Sequence, residues 1–164
     1  MEKEISLQIM REEIEACQQE QDLYGWEFSS IDEGNLTFTV RLLKTMDGEI
    51  YKLYVQFDNY PQWPPFLDFI EESTGTIGIK AAYPKSDDVF FNIHNNVPVI
   101  CHPFSRKAYK GYTNLHIDWG EYEGWKKLTQ YGRIENLKGL LTAIYARLNS
   151  NVYHGRMEKK VVAS

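Results

Sequence analysis

Cysteine is scarce in this chain: two residues in 164, Cys17 and Cys101, too few for a disulfide framework or a paired-thiolate zinc site. Each thiol is judged alone, and in the cytosol a thiol is reduced by default. Long apolar runs are missing as well. None approaches the roughly 20 residues of a membrane span, and the opening MEKEISLQIMREEIEA is too charged to hold a signal peptide's apolar stretch. A soluble, cytoplasmic protein with no membrane partner is the expectation. Basic residues are outnumbered, 18 Lys and Arg against 23 Asp and Glu, for a net charge of −5. Phosphate binding asks for a basic face, so nucleic acid is not an expected partner. The one basic cluster, HGRMEKK, reads as a solvated tail. No glycine-rich phosphate loop is present, so the chain has no ATP site of that kind.

What is present suits one domain with a real core, since 43% of the residues are hydrophobic and 14% aromatic. We expect a single domain over residues 1–164, with 152–164 as a tail. From Glu2 to Asp22, Leu7, Met10, Ile14 and Cys17 recur three and four apart, the mark of an amphipathic helix. Cys17 falls on its buried stripe, where a thiol behaves as a small hydrophobe. In NLTFTVRLL, Leu36, Phe38, Val40 and Leu42 point one way and Thr37, Thr39 and Arg41 the other, which is a strand. Asp47-Gly48 marks a hairpin, IYKLYVQFD puts Tyr51, Leu53, Val55 and Phe57 on one face, and Phe66 to Ile70 extends an antiparallel meander. Tyr51 and Tyr54 suggest a tyrosine-rich strand face open to a partner. Before the third strand, Pro61, Pro64 and Pro65 forbid regular hydrogen bonding and make a stiff connection clamped by Tyr60 and Trp63. A long, mostly irregular segment follows to Trp125, and such loops are usually functional. Order returns at RIENLKGLLTAIYARLNSN, where Ile134, Leu137, Leu141, Ile144 and Leu148 step by three and four. The fold class is therefore α+β: helix, antiparallel meander, long loop, long helix.

The chemistry centres on NNVPVICHPFSRKAY. Two readings of Cys101 compete. In one it ends a buried strand while His102 caps a turn. In the other it stands at the mouth of the long loop, with His102, Arg106 and Lys107 favouring the thiolate. A side-chain amide beside such a cysteine would stabilise the oxyanion of acyl transfer, and Asn92 and Asn95 are the candidates. Asn96 is expected in a turn, and all three asparagines also suit turn capping. As general base His102 is adjacent, but neighbours on an extended chain point to opposite sides. The alternative is His116, oriented by Asp118 in NLHIDW. Asp87 and Asp88 read as solvated loop residues. His94, Cys101, His102 and His116 have a spacing that fits no zinc pattern, so no metal is expected. Trp119, Tyr122, Trp125 and Tyr131 read as packing whose bulk shapes a groove for an extended peptide with small residues, such as a terminal glycine, at its reacting end.

Three stretches in this order resemble the ubiquitin-conjugating enzymes and their prokaryotic relatives: YPQWPP (Tyr60 to Pro65), FNIHNNVPVIC (Phe91 to Cys101), and Trp125 followed by IENLKGLLTAIYARLNSN. They are similar to that family's Tyr-Pro-x-x-Pro-Pro connection, its His-Pro-Asn segment leading to Ile-Cys, and its Trp-x-Pro with the helix after the active site. The likeness covers about Glu2 to Asn151. It departs from the family in lacking the Pro of His-Pro-Asn, in a longer segment between Cys101 and Trp125, and in reduced C-terminal helices. The combination resembles most the stand-alone bacterial relatives of antiphage operons of the cyclic-oligonucleotide (CBASS) type. The resemblance implies a ubiquitin-conjugating-like fold, a thioester on Cys101, and no bound cofactor. It implies as partner the C-terminus of a nucleotidyltransferase resembling cyclic-GMP-AMP synthase, with a separate activating enzyme where ATP is spent. Two rival readings are a docking module without chemistry and a thiol hydrolase built on Cys101, His116 and Asp118.

Overall fold

Side-chain alternation builds the central layer. In β2 (Thr37–Leu42) Phe38, Val40 and Leu42 are buried, and in β3 (Tyr51–Gln56) Tyr51, Leu53 and Val55 are buried. One pleated face thus meets a core, as a period of two requires. The structure is a computed structural model that describes residues 1–159. It is an α+β fold in which β1 (Trp26–Phe28), β2, β3, β4 (Phe66–Glu71) and β5 (Thr76–Ile77) form one antiparallel sheet in that order. The two outer strands are too short to leave a periodic signal. The Asp47-Gly48 turn is there, with Gly48 at φ 79, but it sits in a longer connection between Leu42 and Tyr51 instead of a two-residue hairpin.

Two helices close the core. In α1 (Lys3–Gln18) Met10, Ile14 and Cys17 are buried; after the short α2 (Gln21–Tyr24) and the whole sheet, α3 (Leu137–Leu148) buries Leu137, Leu140, Leu141, Ile144 and Leu148 and packs on α1. Burial pushes the Cys17 thiol up to about 12, so it stays a neutral apolar group. α3 starts later than the periodicity through Ile134 suggests, because Asn136 caps it, its Oδ1 accepting from the Gly139 N–H at 2.8 Å. A second cap arrives from α1: Glu13 Oε1 accepts from the Leu137 N–H and from the Tyr60 hydroxyl, both at 2.8 Å. The proline-rich connection, α1 and the N-terminus of α3 are thereby joined at one carboxylate, whose charge also suits the helix dipole.

The segment after β4 is more ordered than its sequence suggests. β6 (Pro84–Ser86) pairs with β9 (Tyr153–Arg156), and β7 (Phe91–His94) forms a hairpin with β8 (Val97–Ile100). The expected tail from 152 is therefore partly a strand, and its basic cluster is not simply solvated. The Arg156 guanidinium is 8% exposed and donates to the carbonyls of Ala81 and Ile50 at 2.9 and 3.0 Å. The last residues of the expected tail, 160–164, lie outside those described. Tyr51 is not on an open face: it is buried, and its hydroxyl meets that of Tyr153 at 2.7 Å. Among the described residues no helix is long and apolar enough to cross a membrane.

Candidate active site

Prolines cannot donate, yet their carbonyls still need partners when buried. Those of the proline-rich connection are answered from the long loop: Arg106 Nε donates to Pro64 O at 2.9 Å, the Arg106 N–H to Pro65 O at 3.0 Å, and Trp125 Nε1 to Pro61 O at 3.0 Å. Arg106 is 1% exposed and spends its remaining donors on Asp58, whose carboxylate oxygens stand 3.0 and 3.1 Å from Nη1 and whose carbonyl stands 3.0 Å from Nη2. Lys107 is likewise buried, with Nζ 2.9 Å from Asp68 Oδ2, and Asp68 also accepts from the Tyr83 hydroxyl. Neither cation is therefore free to favour a thiolate at Cys101, contrary to expectation. Both anchor the chain just after the cysteine.

Cys101 follows β8 directly, and its N–H donates to Phe90 O at 2.8 Å, which holds it at the base of the β7–β8 hairpin. In that hairpin Asn92 lies opposite Val99. Cys101 is two residues beyond Val99, so Asn92 is its diagonal neighbour on one face. Asn92 lines the same cavity as Cys101, and its side chain lowers the thiol's pKa. The Asn92 Oδ1 is already taken by the Ile93 N–H at 2.7 Å, which leaves the NH₂ to donate. Asn95 is placed elsewhere. With Asn96 it forms the tip of the hairpin, both at positive φ (49 and 66), the conformation of a two-residue type I′ turn. Asn95 is a turn residue and brings no amide to the cysteine.

His102 also serves the scaffold and not the thiol. It is 4% exposed; its Nδ1 accepts from the Phe104 N–H and its Nε2 lies 2.9 Å from Gly132 O, so Nε2 carries the proton. Both nitrogens are engaged and burial holds its pKa below the ordinary histidine value. The histidine at the sulfur is His116. Its Nε2 lies 3.3 Å from Cys101 Sγ, and its Nδ1 faces Asp118 Oδ1 at 3.5 Å. The chain brings it there by a parallel bridge, with the His116 N–H on Ala108 O at 2.9 Å, before the 3₁₀ turn Ile117–Trp119. The indole of Trp119 stacks flat on its imidazole, ring centres 3.8 Å apart and planes 3° from parallel.

Cys101, Asn92 and His116 share the wall of an open cavity of about 470 Å³ with the apolar Val89, Phe90 and Leu115 and with Tyr131. Asp88 and Arg147 stand on its rim already paired with each other, Nε to Oδ2 at 2.9 Å, so Asp88 is not the free loop residue expected. His94 lines a different groove, with Phe66 and Tyr112. Among the described residues no three His, Cys, Asp or Glu come together as a metal site would need.

Burial and hydrogen bonding set the resting state of the thiol. Burial raises the Cys101 thiol above the ordinary cysteine value, and the Asn92 hydrogen bond lowers it in part. At neutral pH the sulfur therefore keeps its proton, and an attack would require a base in contact, the position in which His116 stands. Removing the amide removes a group that stabilises thiolate over thiol. In Asn92→Ala the pH at which Cys101 becomes half-alkylated should move upward, and alkylation at pH 8 should slow by about 3- to 10-fold, the worth of one hydrogen bond. Iodoacetamide kinetics read by mass from pH 6 to 10 check this, with the inert Cys17 as internal reference. A midpoint that stays in place or falls would remove Asn92 from the site.

Comparison of the chain with models of protein families, with curated proteins and with solved structures finds no match.

Proposed function

We propose that this protein is a cysteine acyltransferase of the ubiquitin-conjugating type, which carries the C-terminus of a partner protein as a thioester on Cys101 and passes it to an amine. The observation that carries the reading is the contact of Cys101 Sγ with His116 Nε2 at 3.3 Å in the wall of an open cavity that Asn92 also lines. A buried packing cysteine needs none of these neighbours. The order of the proline-rich connection, the Asn-containing hairpin, Cys101 and the following helix agrees with the ubiquitin-conjugating fold, and from that likeness come the expected partner, a nucleotidyltransferase resembling cyclic-GMP-AMP synthase, and the setting in antiphage defence.

His116 Nε2 takes the Sγ proton as the sulfur attacks the carbonyl carbon of an activated acyl donor. The leaving group departs with that proton, and the acyl chain is now bound to sulfur. An amine then attacks the thioester carbon; His116 accepts a proton from the nitrogen, the amide forms, and Sγ leaves as thiolate to be reprotonated. The Asn92 NH₂, on the same cavity wall, is the donor that serves the carbonyl oxygen as charge develops there in both halves.

A second reading has a specific observation behind it. Cysteine, histidine and carboxylate in line is also the arrangement of thiol hydrolases, in which water replaces the amine. A glycyl peptide thioester offered with and without a lysine-like amine separates the two. Acyl transfer to Cys101 followed by amide formation that scales with amine concentration supports the transferase. Release of free acid at a rate indifferent to amine gives the hydrolase, and no acylation at all leaves only a docking module.

A further inference from the structure

We propose that Trp119 is the positioning residue that fixes the His116 imidazole against Cys101, in the place a buried carboxylate occupies in a cysteine–histidine–carboxylate triad; this rests on reading His116 as the base. A catalytic imidazole has two free torsions and must present one nitrogen to the sulfur, so something has to hold its plane. Asp118 is poorly suited. Its side chain is 70% exposed and its oxygen stands 3.5 Å from Nδ1, a long contact that water competes for. Trp119 is suited: it is 5% exposed and lies flat on the ring at 3.8 Å over its face.

The indole is itself held by packing on both flanks. Tyr109 meets it edge-on at 5.0 Å and Tyr131 at 5.1 Å, and Tyr131 also touches the His116 ring at 5.7 Å. Tyr109 is fully buried, with its hydroxyl donating to Pro103 O at 2.7 Å, so this wall is anchored to the loop that follows Cys101. Among the described residues the Trp119 Nε1 has no hydrogen-bond partner. Its contribution is therefore the face of the ring and not its polar edge, and an aromatic ring without the N–H keeps the function. A stacked indole also tolerates the positive charge that His116 gains in each proton transfer.

Alkylation of Cys101 by iodoacetamide at pH 7 tests this without any acyl donor, so it stands whatever becomes of the transfer reading. The rate is compared among wild type, Trp119→Leu, Trp119→Phe, Asp118→Ala and His116→Ala, with Cys17 reporting unfolding because it reacts only when exposed. Trp119→Leu is expected to slow the reaction by about 10-fold, while Trp119→Phe and Asp118→Ala remain within about 3-fold of wild type. Imidazole ¹⁵N signals should show one His116 tautomer in wild type and Trp119→Phe, and averaged signals in Trp119→Leu. Asp118→Ala as slow as Trp119→Leu, or Trp119→Leu at the wild-type rate, overturns the proposal. A wild-type rate in His116→Ala overturns the base assignment beneath it. If Trp119→Leu unfolds, Tyr131→Ala decides, since Tyr131 is partly exposed and braces both rings. It should slow alkylation by about 3-fold more than Asp118→Ala does, and equal rates overturn the proposal.

Discussion

Replacing His116 by alanine should lower the rate of acyl transfer by about 10²- to 10⁴-fold while the protein stays folded. The size follows from the state of the sulfur. Burial keeps Cys101 protonated at neutral pH, and the Asn92 hydrogen bond offsets this only in part, so most of the activation has to come from the base in contact with Sγ. Stability should fall by only about 1 kcal/mol: the His116 side chain is mostly buried and its ring is stacked on Trp119, but it holds no buried ion pair. Single-turnover thioester formation, with thermal unfolding as control, reads both. The deletion leaves room in a cavity already about 470 Å³ in volume, so millimolar imidazole should restore part of the rate. Rescue would show that the missing group acts as a base. A rate within a few-fold of wild type would mean that the Cys101–His116 contact is packing.

Arg106→Ala should cost about 3 kcal/mol of stability, the lower end of the range for breaking a buried ion pair. The lower end applies because Asp58 is about one-third exposed and can turn to water when its partner is lost. The larger loss lies with the carbonyls of Asp58 and Pro64, which the guanidinium alone serves from inside the fold, and with the packing of its fully buried stem. Lysine is not a substitute, since a single ammonium cannot fork to a carboxylate and two carbonyls at once. A urea midpoint that falls with an unchanged slope checks the figure. Asp58→Asn should lose clearly less, because its backbone carbonyl and much of the arginine's network survive. Equal losses would place the energy in the charge pair instead.

The parts of this fold legible in the sequence are those written in a repeating pattern. The alternation of Phe38, Val40 and Leu42 and of Tyr51, Leu53 and Val55 fixes two central strands, and the three-and-four spacing of α1 and α3 fixes both helices. Strands of two or three residues such as β1 and β5 leave no period to read. β6 and β9 are joined by a pairing across nearly half of the chain, between Pro84 and Arg156, which no local signal records. The site divides the same way. Asn96 in a turn follows from its neighbours in sequence, but Asn95, a candidate for the oxyanion, shares that turn, and the choice between His102 and His116 depends on where a loop returns. That return is made inside the loop, by His116 N–H on Ala108 O and its ring on Trp119, where no repeating pattern marks it, and the same folding turns His102 inward to Gly132. The role of Arg106 was hidden for a similar reason: in sequence it is a cation beside a cysteine, and only its contact with the proline carbonyls shows where its charge is spent.

The central claim is that Cys101 carries an acyl group from a partner's C-terminus. Intact-mass analysis and non-reducing gels of the protein expressed with its genomic neighbours test it, comparing wild type with Cys101→Ser and Cys101→Ala. A thiol-sensitive adduct on wild type that becomes a stable ester with serine and vanishes with alanine is the expected result, and its mass identifies the partner. A partner that co-purifies equally with all three and never forms an adduct would contradict it.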